Sequence, residues 1–189
     1  MLILASASPR RLELLKQLGI APDCVAPADI DESPLKLELP APYAKRIASE
    51  KAKKIAAENP GVIVLAADTV VGVGRRILPK TETEDEARKC LELLSGRRHN
   101  VITGVSIVNA SGKQKTKLVV SAVKFKRLSA AEIAHYINSG EWKGKAGGYA
   151  IQGHAAALIP FISGSYSNIV GLPLHETHAM LKDAGYERA

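Results

Sequence analysis

The sequence predicts an α/β fold with a mixed sheet. Two observations predict it. Short apolar runs bounded by turn residues alternate with stretches of helical periodicity, the pattern of a sheet covered by helices. In addition, the runs at residues 101–109 and 117–125 are joined by Ser111-Gly112, a hairpin-like pair that brings antiparallel pairing into the sheet.

The elements follow in order. Residues 2–5 are an apolar run that reads as a strand. Ser8 is a good N-cap and Pro9 suits the first helical position; leucines then recur at helical spacing to Leu18, and Gly19 ends the helix. Pro34, Pro40 and Pro42 mark a loop, followed by a helix over residues 41–58 that Asn59-Pro60-Gly61 terminates. Residues 62–67 read as a buried strand and residues 70–78 as a second run, with Gly72 and Gly74 inside it. A helix spans residues 84–95. After the hairpin pair, Ser129 and Glu132 form a capping box that opens a helix to residue 138. Short strands are expected at residues 158–162 and 168–170, and a closing helix at 173–184.

Composition narrows the function. The 189 residues suit a single domain, with 46% hydrophobic and 24% charged residues, as in a globular protein with a real core. The net charge of +7 favours anionic partners, while an aromatic content of 4% argues against single-strand binding by base stacking. Cys24 and Cys90 have no metal-binding spacing and read as reduced thiols of a cytoplasmic protein. Neither a signal peptide nor a run long enough to span a membrane is expected.

Four stretches depart from the background. Arg10 and Arg11 open a helix, where the dipole disfavours cations by about 0.3–1 kcal/mol each. A phosphate held by free backbone N–H groups, Ser8 and two guanidiniums would reverse that sign; two solvated arginines on a surface turn are the other reading. In the second helix Ala44, Ala48 and Ile55 share a face with Lys51 in its middle. Lys53 points away, and Lys45 and Lys54 flank the stripe. Such a lysine either snorkels or lines a cleft near an anion. Asp68 and Thr69 follow a buried apolar run, the place where α/β sheets gather ligands, so Asp68 reads as a general base, a metal ligand or a turn residue. Asp29, Asp31 and Glu32 offer further carboxylates, and oxygens from two loops could hold Mg²⁺ together with water and phosphate. The histidines (His99, His135, His154, His175 and His178) are scattered and read as structural or surface residues. The stretch "GKAGGYAIQG", residues 144–153, is not a Walker A loop; glycine content alone makes it a surface loop, although the Gln152 amide could pair with a base edge.

Together these stretches resemble the Maf family of nucleoside triphosphate pyrophosphatases, also called septum-formation inhibitors. The resemblance covers nearly the whole chain through "LASASPRRLELLKQLG", "DES", "IASEKA", "AADTVV", "EARKCLELLSGRRHNVITGV", "GKAGGYAIQG" and "NIVGLPLHET". It implies one domain over residues 1–189, with an elongated mixed sheet and two lobes around a deep central cleft, similar to inosine triphosphate pyrophosphatase folds. The implied reaction is hydrolysis of a nucleoside triphosphate to monophosphate and pyrophosphate, removing non-standard or excess nucleotides. Asp68 matches the catalytic acid/base, and Glu32 with Asp68 would hold a divalent metal, Mg²⁺ or Mn²⁺. Ser8, Arg11, Lys51 and Lys80 match phosphate-contacting positions. Arg10, Thr69 and Gln152 match the branch that favours dTTP and UTP, where a sister branch favouring 7-methyl-GTP carries Trp, Gln and Glu. Thr81 stands where the family usually has proline, which loosens the expectation for Lys80.

The resemblance further implies a cytoplasmic homodimer with no stable nucleic-acid complex and no membrane association, and the family's older name links it to cell-division arrest. The alternatives are a nucleic-acid binder, suggested by the charge and by the basic stretch at residues 96–99, and a non-enzymatic regulator.

Overall fold

The computed structural model describes residues 1–187. Nine strands and six α-helices form in the order β1 (Leu2–Leu4), α1 (Pro9–Gln17), β2 (Cys24–Val25), α2 (Pro40–Glu58), β3 (Ile63–Val73), β4 (Arg76–Leu78), β5 (Lys80–Thr81), α3 (Glu84–Leu94), β6 (Arg98–Val108), β7 (Gln114–Lys124), α4 (Ala130–Asn138), β8 (Lys145–Ala146), β9 (Phe161–Ser163), α5 (Tyr166–Val170) and α6 (Leu174–Asp183). Seven strands make the main sheet, in the order β2-β1-β3-β6-β7-β9 with β4 on the edge of β3; β5 and β8 form a separate two-stranded ladder. The sheet is mixed as expected: β2, β1 and β3 run parallel, and β3, β6, β7 and β9 pair antiparallel.

One long strand positions the site. On one edge β3 pairs with β6 from Val64 to Gly72. On the other, Ile63–Leu65 pair with β1 and Val71–Val73 with β4, which leaves residues 66–70 without a neighbouring strand. Asp68 and Thr69 lie in that interruption.

They therefore do not follow the end of a strand, as the sequence suggests, but sit inside one. The first expected run merges with the start of the second because the unbroken ladder with β6 holds the backbone extended through both polar residues; the second run then breaks at the turn of residues 74–75, and Arg76–Leu78 fold back antiparallel on β3 as β4. Strand alternation then sends the two side chains to opposite faces. Val64, Ala66 and Val70 pack on the α2 side, and Leu65 and Ala67 on the α1 and α6 side.

Two other expectations are corrected. Residues 168–170 belong to helix α5, opened by Ser165, whose hydroxyl accepts from the Asn168 N–H. Residues 154–158 form a 3₁₀ turn before the short strand β9, so the strand expected from residue 158 begins only at Phe161. Both segments were too short for periodicity to separate helix from strand. The hairpin strands start earlier than their apolar runs indicate, because β-ladder pairing recruits polar residues at their ends. Ser8 occupies the N-cap position of α1, but its side chain makes no capping bond.

The core is distributed along the long strands. One apolar cluster joins α3 and α4 to Val71 of β3 and Val101 of β6; another joins α1 and α6 to Leu65 of β3 and Val105 of β6. Between the two clusters, on the same face, lie Thr69 and the buried Thr103, paired across the ladder. Opposite Asp68 in the ladder stands Gly104. A Cβ there would collide with the Ala44 carbonyl oxygen, so this glycine lets α2 settle on the sheet at the level of Asp68. No helix among the described residues is long and apolar enough to cross a membrane.

Gly104→Ala should destabilise the protein by about 1–3 kcal/mol through overpacking. Urea denaturation should show a lower midpoint at unchanged slope.

Candidate active site

A cleft of about 440 Å³ borders the unpaired edge of β3, within the range of small-molecule sites. All nine residues matched to the family's site positions line it: Ser8, Arg10, Arg11, Glu32, Lys51, Asp68, Thr69, Lys80 and Gln152; Asp29 and Asp31, the other carboxylates offered by the sequence, do not.

The first wall comes from α2, β3 and the loop before α2. Lys51 lies on the buried stripe of α2 beside Ala48, Ala52 and Ile55 and does not snorkel. Its Nζ donates to Asp68 Oδ1 at 2.9 Å and pairs with Glu32 Oε1 at 2.8 Å. Lys80 Nζ donates to the other Glu32 oxygen at 2.8 Å. The result is an alternating row, Lys80–Glu32–Lys51–Asp68. Partial burial pushes the Glu32 carboxyl up, but hydrogen bonds from Lys51 and Lys80 and their charges outweigh it and hold the carboxyl down at about 2.

The Glu32 loop is tied to α2 by three further side chains. Tyr43 Oη donates to the Glu32 carbonyl at 2.9 Å, Arg46 to the Ser33 carbonyl at 3.1 Å, and Lys54 to the Asp29 carbonyl at 2.7 Å. Sequence reasoning missed Tyr43, although Tyr43, Ile47 and Lys51 recur every fourth residue on one helical face.

The second wall is the β1–α1 turn. Arg11 is buried, and its Nε donates to the Gly171 carbonyl at 2.9 Å, Nη1 to Ser6 Oγ at 2.8 Å and Nη2 to Thr69 Oγ1 at 3.3 Å. Thr69 in turn bonds Thr103 at 2.9 Å. Arg11 thus ties α1 to β3 and to the segment after α5 while still lining the cleft. Burial pushes its pKa down, the Asp68 charge opposes that, and the neighbouring Arg10 adds to the lowering. Arg10 and Ser8 are half-buried at the same turn.

The third wall is the segment from Lys143 to Gln152. The β5–β8 ladder sets Lys80 opposite Ala146 and Thr81 opposite Lys145. Thr81 is fully buried and its hydroxyl donates to the Trp142 carbonyl at 2.7 Å, a bond the family's usual proline has no group to make. The glycines of this stretch serve packing. Gly147 has φ +67° and would press a Cβ into Val71 at 3.0 Å; Gly148 has φ +70° and lies against Ala87.

Gln152 is exposed at the rim. The chain around it is held by the Tyr136 hydroxyl, which accepts from the Ala150 N–H at 3.1 Å, and by Glu141, which accepts from the His154 N–H at 2.8 Å. Behind it Tyr149 Oη meets His99 Nε2 at 2.7 Å, and burial pushes His99 down to about 4, which keeps it neutral near pH 7. The other four histidines are exposed, and both cysteines are free thiols. Sequence reasoning also missed the cleft lysines Lys143 and Lys145.

No group of three or more His, Cys, Asp or Glu side chains among the described residues could hold a metal by itself. The Glu32 and Asp68 carboxylates do converge, since one ammonium bridges them. A pair of hard oxygen donors that already accommodates a positive charge fits a divalent cation whose other ligands come from phosphate and water.

The fold is similar to that of the HAM1 protein from Coxiella burnetii, at a TM-score of 0.53 and 18% identity over 96% of this chain and 98% of that one; the likeness is one of fold. Residues 1–184 match the family described as Maf-like protein, and the chain belongs to it. A protein of Paramagnetospirillum magneticum named dTTP/UTP pyrophosphatase is 59% identical over 98% of this chain and 97% of its own. One of the same name from Rhodospirillum rubrum is 58% identical over 98% of this chain and 88% of its own.

Glu32 is held at about 2 against an ordinary value of 4.5. Its ionised form therefore stabilises the fold fully above pH 4.5, and that contribution is lost as pH falls towards 2. In metal-free buffer, the stability difference between wild type and Glu32→Gln should narrow steadily across that interval in urea denaturation.

Proposed function

We propose that this protein hydrolyses nucleoside triphosphates, dTTP and UTP foremost, to the monophosphate and pyrophosphate. The observation that carries the proposal is the convergence of Asp68, Lys51, Glu32 and Lys80 with the Ser8–Arg11 turn and Gln152 in one cleft. The names of its near relatives support the same reaction. A cleft of about 440 Å³ supports a mononucleotide substrate over a polymer.

Ser8, Arg11, Lys51 and Lys80 would contact phosphate oxygens, and each added cation stabilises the charge that develops as the bond breaks. Arg11 is already fixed by three hydrogen bonds, so it meets the phosphate without losing side-chain freedom. Asp68 would act as general base. It takes the proton of a water whose oxygen forms the new bond to the α-phosphorus; the bond to the bridging oxygen breaks, and its electron pair leaves with pyrophosphate. Lys51 beside Asp68 keeps that carboxylate oriented. Glu32 and Asp68 would hold Mg²⁺ or Mn²⁺, which when bound supplies charge neutralisation at the phosphate oxygens.

Arg10, Thr69 and Gln152 would set the preference for pyrimidines, with the Gln152 amide pairing with the O4 and N3–H edge of uracil or thymine. The consequence for the cell would be removal of non-standard or excess pyrimidine triphosphates.

A hydrolysis panel of dTTP, UTP, CTP, GTP, ATP and 7-methyl-GTP, with pyrophosphate and orthophosphate separated, tests the reaction. Pyrophosphate should appear chiefly from dTTP and UTP; no turnover of any nucleotide would sink the proposal. Asp68→Asn should lower kcat by about 10²–10⁴-fold, and wild-type turnover in that variant would remove Asp68 from its role. Gln152→Glu should weaken dTTP and UTP selectively, and an equal loss on all six nucleotides would contradict base reading.

A further inference from the structure

The charges of the cleft divide into two groups. Its carboxylates are Glu32 and Asp68, and its cations are Arg10, Arg11, Lys51, Lys80, Lys143 and Lys145. Lys51 and Lys80 are engaged by the two carboxylates, and Arg11 is bonded into the scaffold. Lys143 is exposed, with its ammonium 5.6 Å from the Trp142 ring centroid. Arg10 and Lys145 remain. Both are half-buried, and among the described residues neither forms a salt bridge; Glu13 acts on Arg10 and Glu141 on Lys145 only through their fields, from outside the lining of the cleft.

The backbone that carries Lys145 is fixed. Its strand pairs with β5, Gly144 N–H donates to the Thr81 carbonyl at 2.8 Å, and Gly148 N–H donates to the Lys145 carbonyl at 3.0 Å. Among the described residues the Lys145 ammonium donates only to the Lys143 carbonyl, at 3.1 Å. Burial lowers its pKa, the positive field of Arg10 lowers it further, and the Glu141 charge opposes both without cancelling them. Two partly desolvated cations that line one cleft with no carboxylate bonded to either are unfavourable unless an anion joins them.

We infer that Lys145 forms a second anion subsite on the β8 wall, in the field of Arg10 and on a different wall from Lys51 and Asp68, which grips the pyrophosphate portion of the substrate. The inference rests on the proposed reaction. It assigns the two ends of the triphosphate to different walls: the α-phosphate lies by Asp68, and the leaving pyrophosphate lies between the β1–α1 turn and β8. It also makes Lys145 a binding residue for the leaving group, distinct from the nucleoside.

Isothermal titration of the full chain with pyrophosphate, and separately with dTMP, in the presence of Mg²⁺ tests this. Lys145→Ala should weaken pyrophosphate at least tenfold and leave dTMP within twofold. Lys145→Arg should restore pyrophosphate binding to within about threefold, and Lys117→Ala, which removes the same charge from the exposed face of β7, should change neither ligand. Unchanged pyrophosphate binding in Lys145→Ala overturns the inference, as does an equal loss of both ligands or the same loss in Lys117→Ala. Wild-type protein that binds neither ligand and turns over no nucleotide overturns the proposed reaction itself. Wild-type protein that turns over dTTP while Lys145→Ala binds pyrophosphate normally overturns only the subsite.

Discussion

A buried ammonium shared by two carboxylates is the interaction on which the rest of the site depends. Lys51 reaches Glu32 and Asp68 at 2.8 and 2.9 Å, and the three groups come from a loop, a helix and a strand. A buried ion pair contributes little net stability, because desolvation offsets the attraction, yet removing one partner typically costs about 3–5 kcal/mol. Its value here is positional. Lys51 fixes the Asp68 carboxylate at the cleft wall, and with Lys80 it keeps the Glu32 loop closed over α2. Tyr43, Arg46 and Lys54 hold the backbone of that same loop, so the helix that supplies the ammonium also locates the second carboxylate.

The row of charges requires a particular sheet. If β1 and β4 met along β3, residues 66–70 would be covered by a neighbour and no cleft could open there. They stop short, and the stretch of strand left unpaired on that edge carries the polar pair. Alternation along β3 then serves two walls from adjacent residues: Asp68 faces α2, and Thr69 faces Arg11 and Thr103. Because β6 backs the whole stretch, the site stands on a continuous ladder and not on a loop. Gly104 completes the arrangement from behind by letting α2 come close enough for Lys51 to reach Asp68.

The cations show why a net charge alone says little about function. Lys115, Lys117 and Lys124 lie exposed on β7, and Arg97 and Arg98 are exposed at the start of β6. The cations that bear on chemistry are those drawn into the cleft, partly desolvated and set against only two carboxylates. There an arginine at a helix N-terminus has a physical reason. Arg11 is a tie between elements that also presents charge to the cleft, and Arg10 adds a field that a polyanion would neutralise.

Much of this was legible in the sequence because it rests on local rules. The α/β class came from periodicity, the limits of α2 from its flanking prolines and glycine, and the α4 start from a capping box whose two reciprocal bonds are present. Lys51 stood out as a charge on an apolar stripe, Arg10 and Arg11 as cations at the wrong end of a helix, and Asp68 as a carboxylate directly after an apolar run. What the sequence could not supply was the partner of each anomaly. Whether residues 63–73 form one strand or two depends on the ladder with β6, and whether "GKAGGYAIQG" is a free loop or a wall depends on Val71, Thr81 and Ala87, which its glycines approach. Residues 168–170 read as strand until Ser165 caps them as helix. The sequence by itself determined which residues carry charge in places where charge is costly. Only the tertiary structure decided which of those charges neutralise one another and which, like Arg10 and Lys145, line the cleft with no salt bridge among the described residues, because pairing depends on distances between segments that lie far apart in the chain.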